Sequence, residues 1–329
     1  MTPQADLPGL LTRLEAELGA GRVLRDASLA PMTTFKVGGP ADVLIETRSS
    51  DEVVAAVRAA AAHHVPVTVL GGGSNVLVGD GGIRGLVLRP RGGHIVRESP
   101  DRVRADAAVT INGLVRWLIA HGLAGLEAWA GTPGTVGGGV HGNAHWAGRL
   151  LSEFVVSVRL VSRDGVVTDV ATAEMDFGYD RSRLQRTGEI LLSAVLAVRT
   201  GDPAALREEA RRSLAYRKRT QPLASPSAGC IFQNPASDVA MPAGIPRSAG
   251  ALVDRAGLKG AAEGKALVSP QHGNFIVNTG GATAADIRTL IDRCRSEVRR
   301  QFQVDLADEI VYLGSFEPGA GGSRVHSAD

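Results

Sequence analysis

The sequence predicts an α+β protein with short strands and glycine-bearing loops, and three features support this prediction. Leucines at positions 7, 10, 11, 14 and 18 recur at the spacing of one helical face. Residues 154–162 and 166–170 alternate at period two around a three-residue turn, which is typical of a hairpin. Glycine supplies 41 of the 329 residues, well above its usual share of about 7%.

The first part of the chain predicts a β-α-β unit. A helix over residues 7–18 is followed by a strand over 41–48. Ser49 and Glu52 have the spacing of a capping box, which opens a second helix to about His64. A strand over 67–70 then runs directly into Gly71-Gly72-Gly73-Ser74-Asn75.

The middle of the chain predicts short strands around one helix. The strands are expected over 85–88, 94–97 and 103–107, the helix over 111–121, the hairpin over 154–170 and a further strand over 189–198. Residues 131–143 are interpreted as a long glycine-rich loop.

A domain boundary is predicted near residue 201, where Pro203 suits the first turn of a helix to about Arg219. Beyond it we expect a loop and strand over 225–235, a helix over 248–256, a strand over 274–277, a helix over 283–302 and a strand over 309–313. The predicted organisation is a domain over 1–201 with lobes over about 1–70 and 71–201, a second domain over 202–315, and a flexible tail over 316–329.

Composition excludes several classes of function. The 36 basic and 34 acidic residues nearly balance and aromatic residues are scarce, which argues against nucleic acid as a partner. Two cysteines cannot build a disulfide scaffold and fit a reducing compartment. The N-terminus lacks the pattern of a signal peptide, and no apolar run approaches the length of a membrane span. We expect a soluble, cytoplasmic protein that has no membrane association and for which no obligate protein partner is inferred.

Two glycine clusters, residues 71–75 and 131–139, are candidates for a phosphate-binding site. Glycine lets successive backbone N–H groups approach one ligand closely. Neither cluster is a Walker A loop, and neither gives a clear dinucleotide fingerprint. Each alone fits a tight turn, but two in one domain favour a cofactor that carries a diphosphate, without deciding which cofactor.

An ordered set of motifs covers residues 33–314. They are TTFKVGGPAD at 33–42, LGGGSNVL at 70–77, GTPGTVGG at 131–138, Asn143, FGY at 177–179, PSAGCIFQNP at 226–235, AGALVDRAGLKG at 249–260, His272 with NFIVN at 274–278, and EIV at 309–311. In this order they resemble the UDP-N-acetylenolpyruvoylglucosamine reductases. Only 48 residues separate Arg181 from Cys230, which is similar to the short form of the family.

The resemblance implies a fold and an activity. The fold is a two-part FAD-binding domain of the PCMH (vanillyl-oxidase-like) type, followed by a C-terminal α+β substrate domain. The activity is the NADPH-dependent reduction of the enol-ether C=C bond of UDP-N-acetyl-enolpyruvoylglucosamine to UDP-N-acetylmuramate, in peptidoglycan precursor synthesis. FAD is expected to be held non-covalently, and the partner is expected to be the UDP-sugar substrate.

The resemblance also implies site residues. The implied FAD-binding residues are Gly71, Gly72, Gly73, Ser74, Asn75, Thr132, Pro133, Gly134, Thr135, Gly138 and Asn143. The implied substrate-binding residues are Tyr179, Arg217, Lys218 and Asn234, and the implied catalytic residues are Arg181, Cys230 and Glu309.

The chemistry of the catalytic residues fits the implied reaction, which places a hydride on one carbon and leaves negative charge beside a carboxylate. A thiol at Cys230 is mostly protonated at neutral pH yet far more acidic than an alcohol, so it suits proton donation. The alternative is a buried small apolar residue, which is how Cys294 is interpreted. Glu309 enters an apolar strand, where desolvation would raise its pKa; otherwise it is a solvated charge.

Arg181 is expected to stabilise the enolate, although the local order departs from the family's Tyr-Arg-x-Ser. Here the sequence is Tyr179-Asp180-Arg181-Ser182, and Arg181 is alternatively a surface charge. The family more often has Asn-Ala-Gly where this chain has Asn143-Ala144-His145.

Three alternatives to this interpretation remain. His141 and His145 have the spacing of metal ligands, but no Glu or Cys joins them in the sequence, so no metal is predicted. A flavin oxidase of the same superfamily could tether flavin covalently at either histidine. A non-catalytic nucleotide-sugar binder would be compatible with the altered Tyr-Asp-Arg order.

Overall fold

The computed structural model describes residues 4–316, so the predicted tail lies, apart from residue 316, outside the described residues. The first lobe contains α1 (Leu7–Leu18), β1 (Val23–Ser28), β2 (Pro40–Thr47), α2 (Ser50–Ala62), β3 (Val67–Val69), β4 (Val76–Val78) and β5 (Ile83–Pro90). Its sheet has the order β1-β2-β5-β3, and α1 and α2 pack on it around a common apolar core.

Strand β5 lies between the two strands of the predicted β-α-β unit and pairs with both in parallel. Leu86, Val87 and Leu88 are all fully buried, as is typical of a central parallel strand. The sheet therefore continues to Pro90, and the division between the lobes falls after this residue rather than near residue 70.

The second lobe is built on a five-stranded antiparallel sheet. Its elements are β6 (Ile95–Ser99), β7 (Arg102–Asp106), α3 (Ile111–Ala120), β8 (Leu123–Ala124), α4 (Val136–His141), β9 (His145–Trp146), β10 (Arg149–Leu150), β11 (Val155–Val161), β12 (Val167–Ala171), α5 (Leu184–Thr187), β13 (Ile190–Ala197) and β14 (Arg199–Thr200). The sheet order is β12-β11-β13-β7-β6.

Helix α4 corrects the interpretation of 131–143 as a continuous loop. The side chain of Thr135 begins the helix, because its Oγ1 accepts a hydrogen bond from Gly138 N at 3.2 Å. A Cβ atom on Gly139 would lie 2.9 Å from Leu151 Cδ2, so glycine lets this helix approach its neighbours closely. Glycine thus serves packing here, although it disfavours a helix in isolation.

The remaining elements follow residue 202. They are α6 (Pro203–Thr220), α7 (Ala249–Arg255), β15 (Ala262–Glu263), β16 (Ala266–Val268), β17 (Ile276–Asn278), α8 (Ala284–Phe302) and β18 (Val311–Leu313). Short 3-10 helices occur at Ala20–Arg22, Ala30–Met32, Glu127–Trp129, Leu151–Glu153 and Thr172–Glu174. The strand expected within 225–235 is absent from the described chain; Phe232 makes only an isolated bridge with Asp308.

Helix α6 packs on the second lobe rather than on the C-terminal part. Leu206 belongs to the apolar core of that lobe, and Trp146 Nε1 donates a hydrogen bond to Ser213 Oγ at 3.0 Å. By packing, the division between the two parts therefore falls after Thr220 rather than near residue 201.

The C-terminal part is joined to the first lobe at several points. Strand β18 pairs in parallel with β4, and the carboxylate of Asp80 accepts hydrogen bonds from Ala284 N and Ala285 N at 2.9 and 3.0 Å. Asn75 O accepts a hydrogen bond from Val311 N at 2.9 Å. These contacts bring the last strand against the first glycine cluster. No helix of residues 4–316 has the length and apolar character needed to cross a membrane.

Candidate active site

The two glycine clusters, which are distant in sequence, are in contact in the structure. A Cβ atom on Gly72 would lie 2.8 Å from Gly134 Cα, and one on Gly71 would lie 2.9 Å from Thr135 Oγ1. Gly73 has a φ of +62° and faces the backbone of Met32. Only glycine permits this backbone geometry and this approach, so the clusters form one concave surface, which we call the glycine cradle (residues 71–75 and 131–135).

The glycine cradle offers unused hydrogen-bond donors. Within the described residues, the backbone N–H groups of 71–75 donate to no protein acceptor. Thr132 Oγ1 is buried without a partner. Successive free N–H groups on glycine-rich backbone are the arrangement that binds phosphate oxygens, so these residues fit the diphosphate of a dinucleotide cofactor.

The other residues predicted to contact the cofactor differ in what they can offer. Ser74 is half-buried and lies beside Gly134, whereas Pro133 is exposed and Gly138 N is used to cap α4. Asn75 is exposed at the edge of the cradle, where its Nδ2 donates to Glu309 O at 3.1 Å.

The side chain of Asn143, which was predicted to contact the cofactor, is turned into the protein. Its side chain is fully buried; Nδ2 donates to Gly178 O at 2.7 Å, and Oδ1 accepts from Ser152 N at 2.9 Å. The amide is therefore committed to internal hydrogen bonds and presents no surface to a ligand. Its function in the fold is to hold the segment after α4 against the turn that follows Gly178.

That turn determines which side chain enters the site. Gly178 and Arg181 exchange backbone hydrogen bonds of 3.0 and 3.2 Å, which places Tyr179 and Asp180 at the tip. Asp180 has a φ of +51°, and its Oδ1 accepts a hydrogen bond from His145 Nδ1 at 3.0 Å.

The same turn corrects the prediction for Arg181. Its guanidinium lies 3.5 Å from Asp176 Oδ1, and its side chain is 61% exposed. The tight turn directs position 180 inward and position 181 outward, so Arg181 is not placed with the other predicted catalytic residues.

His145 lies at the centre of a polar cluster with Asp180 and Glu309, whose side-chain nitrogen and oxygen atoms lie within 4.8 Å of one another. Its Nε2 is 3.3 Å from the hydroxyl of Tyr179. The hydrogen bond to Asp180 raises the pKa of His145 above its usual value, against the opposing effect of burial.

Glu309 is held at the junction of the two parts of the chain, because its backbone N donates to Ile231 O at 2.8 Å. Burial, followed by the nearby charge of Asp180, raises the pKa of Glu309 to about 8. At neutral pH this carboxyl group is mainly protonated, as the sequence predicted for a desolvated acid, and it can donate a hydrogen bond.

Cys230 follows Gly229, which has a φ of +80°. Burial raises the pKa of the Cys230 thiol, the charges of Glu309 and Asp180 raise it further, and Arg217 opposes them. The thiol is therefore protonated at neutral pH and holds the proton that a donor needs, while the raised pKa makes it a weaker acid than a free thiol and a poor nucleophile. Cys294 is buried in α8, as expected for a structural residue.

Among the predicted substrate-binding residues, Arg217 faces the site and Lys218 is exposed. Arg217 Nη1 donates to Gly131 O at 3.1 Å, and its guanidinium lies 3.8 Å above the ring of Trp146. Its Nε is buried without a partner, and burial lowers its pKa to about 10, so it remains charged at neutral pH. Asn234 Oδ1 accepts a hydrogen bond from Ala249 N at 3.1 Å.

Sequence reasoning missed the contribution of His145 and Asp180. The departures at these two positions from the family's usual residues were visible, but nothing in the sequence indicated that the two side chains meet.

Comparison with protein-family models identifies both parts of the chain. The model described as "FAD binding domain" matches residues 41–171, and the model described as "UDP-N-acetylenolpyruvoylglucosamine reductase, C-terminal domain" matches residues 221–313. The second match begins directly after α6, in agreement with its packing. The protein is thus of the class of FAD-dependent oxidoreductases built from a two-part FAD-binding domain and a separate C-terminal domain.

Individual proteins give the same result. The chain is 40% identical over 297 residues to the UDP-N-acetylenolpyruvoylglucosamine reductase of Bacillus velezensis, covering 89% of this chain and 95% of that one. It is 40% identical over 301 residues to that of Bacillus subtilis, covering 91% and 96%. The crystal structure of the Thermus caldophilus reductase matches with a TM-score of 0.74 at 32% identity, covering 89% and 99%. The chain belongs to the UDP-N-acetylenolpyruvoylglucosamine reductase family.

Proposed function

We propose that this protein reduces UDP-N-acetyl-enolpyruvoylglucosamine to UDP-N-acetylmuramate in the cytoplasm, with NADPH as electron donor and FAD held non-covalently. The observation that supports this most strongly is that Cys230 and Glu309 lie close together, because Glu309 N donates a hydrogen bond of 2.8 Å to the carbonyl oxygen of Ile231, the residue after Cys230. Glu309 is tied directly to the glycine cradle through Asn75.

The glycine cradle would hold the diphosphate of FAD through the free N–H groups of 71–75, with Ser74, Gly134 and Thr132 beside it. When bound, FAD would carry the hydride from NADPH to the substrate. The sequence predicts that residues 1–201 bind this cofactor and residues 202–315 bind the nucleotide sugar; the packing of α6 on the second lobe moves the proposed boundary to about residue 220.

The side chains around the thiol would complete the reduction. The Cys230 thiol donates its proton to the carbon that bears the carboxylate, and the protonated Glu309 donates a hydrogen bond to a carboxylate oxygen. Arg217 carries a positive charge and an unused Nε–H, which suit a diphosphate or carboxylate oxygen. Tyr179 and Asn234 line the same cluster, where a backbone N–H of Asn234 faces the Tyr179 hydroxyl.

An absorption experiment tests this function. Purified protein should show a flavin spectrum that NADPH bleaches anaerobically and that the enolpyruvyl nucleotide sugar restores, and acid precipitation should release the flavin to the supernatant. Flavin that stays with the acid-precipitated protein, or reduced flavin that only oxygen reoxidises, would instead indicate an oxidase. Protein that binds the nucleotide sugar without turnover would be a non-catalytic binder.

The raised pKa of Glu309 predicts how stability depends on pH. The unfolded chain ionises this group near 4.5 and the folded protein only near 8, so its contribution falls as pH rises between these values. At pH 8 Glu309→Gln should therefore be more stable than wild type by up to about 4 kcal/mol, and it should unfold at a higher temperature. The difference should vanish near pH 4.5 in thermal unfolding followed by circular dichroism. Parallel curves at every pH would show that Glu309 is solvated.

A further inference from the structure

His145 and Asp180 form a hydrogen-bonded pair that faces the proposed acids. His145 Nδ1 lies 3.0 Å from Asp180 Oδ1, and the two side chains are 28% and 10% exposed. The second carboxylate oxygen of Asp180 is buried without a partner. A buried carboxylate of this kind needs a compensating cation, and the imidazole of His145 is in direct contact with it.

The pair fixes the orientation of the imidazole ring. An ionised carboxylate only accepts hydrogen bonds, so His145 Nδ1 must carry the proton that Asp180 Oδ1 accepts. The other ring nitrogen, Nε2, is then directed away from Asp180. It lies 3.3 Å from the hydroxyl of Tyr179, whose side chain is 45% exposed. This contact is long, and an incoming oxygen atom can replace it.

The charges around His145 come from several elements. Asp180 and Tyr179 face it from the turn after Gly178, and Glu309 faces it from the segment before β18. Arg217 lies above Trp146, the residue after His145, and Arg181 is turned toward Asp176. His145 is therefore the basic side chain in contact with the Asp180–Glu309 group.

We propose that His145 is a catalytic residue whose Nε2–H contacts the carboxylate of the enolpyruvyl substrate and stabilises the negative charge that develops there. Asp180 is its positioning residue. This inference rests on the proposed function and assigns to a histidine the cation that the reaction requires. Loss of one such donor at a developing oxyanion typically slows a reaction about 10²–10³-fold.

The raised pKa of His145 is consistent with this role, because it keeps the ring positively charged closer to neutral pH. The protonated ring is the active form, so the rate of substrate reduction should fall as pH rises through this pKa. The rate of substrate reduction should fall a second time near pH 8, where Glu309 loses its own proton.

The test measures the two half-reactions separately in stopped flow on the flavin-loaded protein. His145→Ala should slow flavin reoxidation by the enolpyruvyl substrate about 10²-fold and leave flavin reduction by NADPH within about twofold. His121→Ala is the matched control, because His121 ends α3 with its Nδ1 2.7 Å from Trp117 O, away from the cluster; both of its half-reactions should match wild type.

Further measurements separate a catalytic role of His145 from a structural effect. Added imidazole should restore part of the reoxidation rate of His145→Ala and none of that of Cys230→Ala. In His145→Gln only the fall in rate that belongs to Glu309 should remain, and it should move to higher pH because the charge of His145 lowers the pKa of Glu309. Asp180→Asn should move the fall in rate that belongs to His145 to more acidic pH, since the ring loses its charged partner. An NMR titration of the His145 ring in the same proteins reads this shift without turnover.

Several results would contradict a catalytic role for His145. An unchanged rate of flavin reoxidation in His145→Ala would overturn the proposal. So would a comparable loss of that rate in Arg181→Ala together with no imidazole rescue of His145→Ala, and this second result would return the role to Arg181. Wild-type protein that does not reduce the enolpyruvyl substrate would instead refute the proposed function. Sensitivity of the wild-type rate to EDTA would show that His145, Asp180 and Glu309 bind a metal, and would also overturn it.

Discussion

Replacing Cys230 by alanine is expected to slow reoxidation of the reduced flavin by the enolpyruvyl substrate by about 10³-fold or more, while NADPH still bleaches the flavin at the normal rate. The expected loss exceeds that for a single hydrogen-bond donor because the variant removes the proton itself as well as a contact. The thiol lies in the cluster with Glu309 and Arg217, and burial keeps it protonated.

Two further variants complete this experiment. Cys230→Ser places an O–H where the S–H was and should recover much of the rate that Cys230→Ala loses. Cys294→Ala removes the other thiol, which is buried in α8, and should leave both half-reactions unchanged even if stability falls. If Cys230→Ala reduced substrate at the normal rate, the proton would have to come from another group.

Replacing Gly72 by alanine is expected to give a colourless protein. The added Cβ would lie 2.8 Å from Gly134 Cα, so the two halves of the glycine cradle would have to separate. The backbone at Gly134 cannot move aside as easily as the end of a flexible side chain. Once the two halves of the cradle separate, their N–H groups no longer converge on one diphosphate. We expect the flavin absorbance per mole of purified protein to fall at least about tenfold, which corresponds to ~1.4 kcal/mol or more of binding free energy.

The matched control is Gly21→Ala. Gly21 has no neighbour within 4 Å of a built Cβ and lies in the short 3-10 helix Ala20–Arg22. This variant should retain full flavin content. Circular dichroism of the flavin-free Gly72→Ala protein should match that of flavin-free wild type. A normally yellow Gly72→Ala protein would show that the cradle does not bind the diphosphate.

Much of the fold could be predicted from local patterns. The helices α1, α2, α3, α6, α7 and α8 were each predicted, α1 from apolar spacing and α2 and α6 from boundary residues, and each is present with ends within a few residues. Helix α4 could not be predicted, because its glycines disfavour a helix and only tertiary packing against Leu151 and Ile111 supports it. The position of β5 between β2 and β3 likewise depends on contacts distant in sequence.

The candidate site was predictable in composition but only partly in geometry. Cys230 and Glu309 were identified by their place in the ordered motifs, and the structure brings them together. The inward direction of Asp180 and the outward direction of Arg181 follow from a two-residue turn with a positive φ, which sequence periodicity does not encode. The pairing of His145 with Asp180 spans 35 positions in the chain and required coordinates.

The parallel pairing of β18 with β4 has a consequence for the order in which the site can form during synthesis. Strand β4 leaves the ribosome well before its partner at Val311–Leu313. The acid at Glu309 therefore cannot join the glycine cradle until this later strand has been made. A chain cut before β18 retains both glycine clusters but lacks the proposed acid, so we expect it to be unable to complete substrate reduction.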